Sequence, residues 1–240
     1  MFAGALLGAF LRRFLPEHHL ISDSRDVIKL GAGVTATLGA LVLGLMVSSA
    51  KGSFDSVNDV LTQAAAIYSN LDRILAQYGP ETKVARDQMR QNLASIIERI
   101  WPKNNVETGG IEAEEESTEM EMVAGMLRKL IPQDESQRIL KARAMEVFND
   151  GTKLRWSLIA KTHASIPTVF LVVLVTWFTV LFAMFALLTR GNVTVIVVLL
   201  VCALSVAGGI LLILDMNRPF GGILKASSAP LEHALKYLGR

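Results

Sequence analysis

The chain has 240 residues, 51% hydrophobic and 19% charged, with 24 basic side chains nearly balanced by 22 acidic ones. That balance implies no polyanion-binding surface, and a mean hydropathy of +0.40 points away from an ordinary soluble globule. The single cysteine, Cys202, lies in an apolar run and cannot close an intrachain disulfide, so it leaves the redox compartment open.

Residues 1–11 are apolar and end at Arg12 and Arg13. Eleven helical residues reach only ~16 Å, against ~30 Å of hydrocarbon. Either a short helix dips into the bilayer or, the favoured expectation, this is a partial first span whose true start precedes Met1, with the arginine pair as a membrane-edge anchor. No A-x-A-like cleavage site follows, which argues against a removable signal. The pair His18-His19 comes next. Adjacent residues point in different directions, so these histidines read as part of an interfacial loop rather than as metal ligands.

Between Lys29 and Lys51 no residue is charged, which predicts a second span over 28–50. Beyond it Phe54, Val57, Leu61, Ala64, Tyr68, Leu71, Leu75 and Tyr78 alternate steps of three and four, a seam of coiled-coil period. The same register continues back through Ala50, Val47, Leu43, Ala40, Ala36 and Gly33. One helix from 28 to 78 is therefore expected, with Gly52 the place for a bend. Inside the span a small, weakly polar row reads Gly33, Thr37, Ala40, Gly44 and Ser48. Such a row suits tight helix packing within one subunit, or it lines a permeation path; both readings stand. A neighbouring face (Leu30, Val34, Leu38, Leu41, Leu45) is bulky and suits lipid or an apolar constriction.

Gly79 and Pro80 form a stop and a start. The next helix carries Val84, Leu93, Ile96, Ile97 and Ile100 on one face and ends before Pro102. Residues 102–116, with Gly109-Gly110 and the acidic run Glu112, Glu114, Glu115 and Glu116, read as a solvated loop without EF-hand spacing. Ser117 or Thr118 is expected to cap a short helix bearing Met122, Val123, Met126, Leu127 and Leu130. A last helix over 134–163 presents Leu140, Val147, Leu154 and Leu158. The insert 51–165 is thus an all-helical bundle, with 15 basic and 17 acidic side chains.

From 166 to 214 the single charge is Arg190, inside the break Thr189-Arg190-Gly191-Asn192. The runs on either side are each long enough to cross a bilayer. Joined so tightly, they must form an antiparallel hairpin, because lipid satisfies no backbone outside a helix. Ser165 and Pro167 read as cap and first turn of the third span. Asp215 ends the fourth span, with Arg218 one turn on. It reads either as a membrane-edge ion pair or as a charged element at a pore mouth. Arg25 and Lys29 are the corresponding charges at the start of the second span. In the tail 216–240, Leu231, Ala234, Leu235 and Leu238 make a short amphipathic helix ended by Gly239, suited to docking on the insert or lying on the membrane surface.

The fold class is therefore all-α: a helical membrane protein of about four spans, the first truncated, with a helical bundle inserted between spans two and three. Its segments are 1–50, 51–165, 166–215 and 216–240. Basic residues near span ends favour placing the insert and tail in the cytoplasm. No nucleophile elbow, phosphate loop or metal-binding cluster occurs, so neither an enzyme nor a cofactor, metal or nucleic-acid partner is expected.

Three stretches carry a resemblance. The first runs Leu15-Pro16-Glu17-His18-His19 with Ser22-Asp23-Ser24-Arg25-Asp26. The second is Leu71-Asp72-Arg73 with Tyr78-Gly79-Pro80-Glu81-Thr82 and Arg99-Ile100-Trp101-Pro102. The third is Leu214-Asp215-Met216-Asn217-Arg218-Pro219-Phe220-Gly221-Gly222. Together, over nearly the whole chain, they resemble a bacterial membrane-protein family of unknown function labelled bestrophin-like, whose members begin with a complete first span. Bestrophins are pentameric anion channels with four spans per subunit, a cytosolic helical region and a pore lined by the second span. The resemblance implies a homo-oligomer in a bacterial inner membrane, passing small anions along a path lined by the second span. No bestrophin pore motif matches residue by residue, so it carries over no pore residue. The alternative, from a different class, is a non-conducting scaffold or sensor whose cytoplasmic helices bind a partner.

Overall fold

The computed structural model describes residues 2–11, 22–102, 113–163, 168–188 and 192–239. Among these every regular element is a helix: α1 (Phe2–Leu11), α2 (Ser22–Tyr78), a 3-10 turn (Pro80–Thr82), α3 (Lys83–Ile100), α4 (Ala113–Lys129), α5 (Glu135–His163), α6 (Thr168–Leu188), α7 (Val193–Met216) and α8 (Ala229–Tyr237). They form two compact units, Met1–Gly52 with Ser165–Asn217 and Ser53–Ala164 with Arg218–Arg240. The 57-residue α2 belongs to both and is unbroken through Gly52, where one unit gives way to the next along the chain.

In the first unit α2, α6 and α7 are long and apolar enough to cross a membrane. At ten residues, α1 is about 15 Å long and reaches half-way. It lies on α6 through Gly4 and Gly8. A Cβ on Gly4 would sit 2.5 Å from the Thr179 carbonyl oxygen, and one on Gly8 would collide with the Ala183 backbone. Small residues four apart let two helix backbones touch, the contact-driven packing that lipid favours. Leu174, Phe178, Leu181 and Phe182 are the buried side chains of α6. The expected anchor Arg12-Arg13, the pair His18-His19, the cap Ser165 with Pro167, and Arg190 all lie outside the described residues.

The second unit is a bundle of α3, α4, α5, α8 and the later half of α2 around Val57, Leu61, Leu75, Leu93 and Leu127. Gly79 ends α2 with φ 141° and ψ 179°. At that positive φ a side chain is strained, and a Cβ would strike the Glu81 carboxylate. Fully buried Thr82 then ties the junction: its hydroxyl lies 2.5 Å from the Leu75 carbonyl and 2.8 Å from that of Gly79. Of the α2 carbonyls left open at the stop, that of Leu75 is thereby satisfied, and that of Tyr78 accepts from Gln137 Nε2 at 3.0 Å.

Three expectations need correction. The seam of coiled-coil period is not a coiled coil between long helices of separate copies from Val57 to Tyr78: Val57, Leu61, Leu71, Leu75 and Tyr78 are buried within this unit, most of them in its own core. In α3, Ala85 and Met89 take the inward positions and Val84 is 67% exposed. Helix α4 begins at Ala113, so Glu114, Glu115 and Glu116 are helical rather than loop. Carboxylates in a first turn complement the positive end of the helix dipole, and Glu is a good helix former. Gly109-Gly110 and Glu112 lie outside the described residues.

The segment after α7 belongs to the second unit and is fastened to it along its length. The Trp101 indole N–H donates to the Ala226 carbonyl at 2.8 Å. The same ring meets Phe220 edge-on, centroids 5.7 Å apart. The Ser227 N–H donates to Asn58 Oδ1 at 3.2 Å. Helix α8 then docks against α3, burying Leu231 and Ala234, with Leu238 buried just beyond; of the two placements open to it, docking on the insert is the one observed.

Candidate functional site

The face of α2 that carries the small row is set by what covers the opposite side. Ala32, Gly39, Met46 and Ala50 are buried, spaced by seven, seven and four, which places them on one stripe. A Cβ on Gly39 would lie 3.2 Å from the Phe178 ring, so glycine there admits α6 closely. Leu43 likewise lies against Gly209 of α7.

Gly33, Thr37, Ala40, Gly44 and Ser48 are all exposed. A Cβ on Gly33 or Gly44 would meet nothing within 4 Å. The bulky row is exposed as well, Leu30 at 72% and Leu45 at 63%. Among the described residues nothing of this subunit packs against the row at Gly33 or Gly44. The Thr37 hydroxyl donates to the Gly33 carbonyl at 2.9 Å. Its proton is thus spent inside the helix, and what faces outward is an acceptor oxygen.

The candidate charges are less concentrated. The Lys29 ammonium lies 2.9 Å from Asp26 Oδ1, an exposed pair three residues apart. Arg25 lies in α2, but its side chain is outside the described residues. Asp215, half-buried, is one residue short of the end of α7, and exposed Arg218 opens the next unit. His233 stacks near Tyr237, ring centroids 4.9 Å apart.

Sequence reasoning missed the buried charge of the second unit. Asp72 accepts from Arg86 Nε at 2.7 Å and from Nη2 at 3.0 Å, a two-pronged pair with side chains 10% and 15% exposed. That bond raises the Arg86 guanidinium above its ordinary value. The Gly239 N–H also points at Asp72 Oδ2, at 3.4 Å. The signal was present, since Leu71-Asp72-Arg73 and Trp101-Pro102 stand among the motif residues. Their partners lie 14 and 125 residues away, and no periodicity links them.

Apolar helices of spanning length and a separate helical unit define the class: an integral membrane protein built of helices. The chain belongs to the bestrophin-like family, whose bestrophin-like domain matches residues 1–231. Comparison with curated proteins and with solved structures gives no match.

Proposed function

We propose that this chain is the subunit of a homo-oligomeric, channel-like protein of a bacterial inner membrane, with residues 51–165 and the C-terminus in the cytoplasm. Copies assemble through the membrane half of α2, and the row Gly33, Thr37, Ala40, Gly44 and Ser48 faces a path for small anions. The observation carrying this reading is that the row is exposed and unobstructed while the same helix is sealed beyond Val57. Assembly then rests on the bilayer segment, where close approach of small residues drives association. Family membership supports the channel-like class, and a pentamer is the stoichiometry bestrophins suggest.

Ion choice falls to charge rather than to hydroxyls. Thr37 must rotate its proton away from Gly33 to solvate an anion, and Lys29 is already balanced by Asp26. Arg25 is a second candidate cation at that end of the span. The reading includes no catalytic step.

The test is single-channel recording from purified protein in planar bilayers under asymmetric chloride. Discrete events reversing near the chloride potential are expected, and Gly44→Leu should lower their amplitude. An assembled oligomer silent across voltages and salts would leave the scaffold reading in possession. A stable monomer in nanodiscs would remove the path altogether.

A further inference from the structure

The second unit has a cavity of about 110 Å³ in the middle of its bundle, bounded by α2, α3, α4, α5 and α8. Its floor is buried and apolar: Leu61, Leu71, Met89, Leu93 and Val123. Its rim is half-buried and also apolar at Ile96, Phe148 and Leu158. Such a void does not hold water well, because water needs several polar partners; a ~150 Å³ void of the same kind takes benzene instead. Bundle interiors between facing helices are a usual place for small ligands.

The polar part of the lining decides the ligand's chemistry by being spoken for. Among its described residues three carry polar side chains, Tyr68, Asn92 and Arg155, and none of them is free. The Asn92 amide oxygen accepts from Gln88 Nε2 at 2.7 Å. The Arg155 guanidinium carbon lies 5.8 Å from the centre of the Trp156 ring, with Nη1 4.0 Å from Met120 Sδ, and the residue has a further partner besides. A hydroxyl or a charge entering here gives up its water and finds each of these side chains already engaged. A hydrocarbon gives up nothing. Met89 on the floor and Met120 beside Arg155 add walls that adapt, since an unbranched thioether chain moulds to its neighbour and favours aromatic edges.

We infer that this cavity binds a small uncharged apolar molecule, a single aromatic ring or a short alkyl chain, held by contact alone. Arg155 serves only as wall. The site lies wholly within the second unit and does not depend on conduction.

The probe is benzene, titrated into the full chain in lipid nanodiscs with its methionine methyl groups labelled with 13C. The Met89 and Met120 methyl resonances should shift saturably. Those of Met46 and Met216, in the membrane unit, should move only in proportion to the benzene dissolved in the bilayer. Nuclear Overhauser contacts from benzene to the Met89 and Met120 methyls locate the ligand without recourse to any variant. Phenol, compared at equal free concentration in water, should bind about tenfold more weakly because its hydroxyl finds no partner. Ala64→Leu and Ile96→Phe fill the cavity from α2 and α3, and either one that keeps wild-type circular dichroism should lose the saturable shift. The inference is overturned by Met89 and Met120 shifts that stay linear in benzene, by absence of those Overhauser contacts, by saturable binding that survives filling, or by phenol bound as tightly as benzene.

Discussion

Asp72 shows how much rests on single side chains in the second unit. It satisfies both prongs of Arg86 and lies within reach of the Gly239 amide while only 7% exposed. Asp72→Ala removes this two-pronged pair from a largely buried guanidinium, a loss of about 3–5 kcal/mol, read as a lower denaturant midpoint by circular dichroism. Tyr78 is the opposite case. Its phenol oxygen is buried, with no hydrogen-bond partner among the described residues. Burial pushes the phenol above its ordinary value, and the Glu81 and Asp134 carboxylates add to the push. A folded-state value raised in this way costs nothing below the unfolded value of about 10. Stability then falls as pH climbs through that value toward the folded one, because only the unfolded chain ionises. Tyr78→Phe should match or exceed wild type by up to about 1 kcal/mol at pH 8, and its advantage should widen at pH 11. An advantage that stays flat across that interval would show Tyr78 to be uninvolved.

At the scale of elements, the contact of α1 with α6 decides what α1 tolerates. Gly8→Leu drives a side chain into the Ala183 backbone and should destabilise by at least about 1–3 kcal/mol. Leu7→Ala, at a position 63% exposed, should change little in detergent. Thermal midpoints of the two variants make the comparison. A Gly-x-x-x-Gly spacing at residues 4–8 stands in the sequence, but nothing local names α6 as the helix it meets. The long helix and the Gly79-Pro80 junction were legible, because a heptad-like seam and a stop-start dipeptide are local signals. The start of α4 was not. Four glutamates beside two glycines look like solvent-exposed coil, yet Glu is a good helix former and α4 already runs from Ala113.

For the whole molecule, the sequence conveyed which stretches belong in lipid and that everything between them is helical. It could not convey which face of α2 is already occupied. The same seam runs from Gly33 to Tyr78, but its partners in the second unit come from α3, α4, α5 and α8, far along the chain. Covered beyond Val57 and open at Gly33, Ala40 and Gly44, the stripe has two different fates. If the open part is where copies meet, Gly33→Leu with Gly44→Leu should shift the assembly toward monomers in native mass spectrometry. The buried pair and the indole bond of the second unit should be untouched, and its circular dichroism melt unchanged. A double variant that keeps the wild-type mass would place the subunit contacts elsewhere.

The second unit is interrupted by the hairpin α6–α7: its first portion ends at Ala164 and its remainder begins at Arg218. During synthesis the ribosome emits Leu61, Leu75 and Leu93 long before Leu231, Ala234 and Leu238, which complete the same core. The nascent bundle must therefore wait, one wall short, while two further helices enter the bilayer. A stop codon at Arg218 should strand it there, leaving the spans inserted but the bundle rapidly proteolysed in pulse-chase, so the segment from Arg218 acts as the latch that closes the bundle.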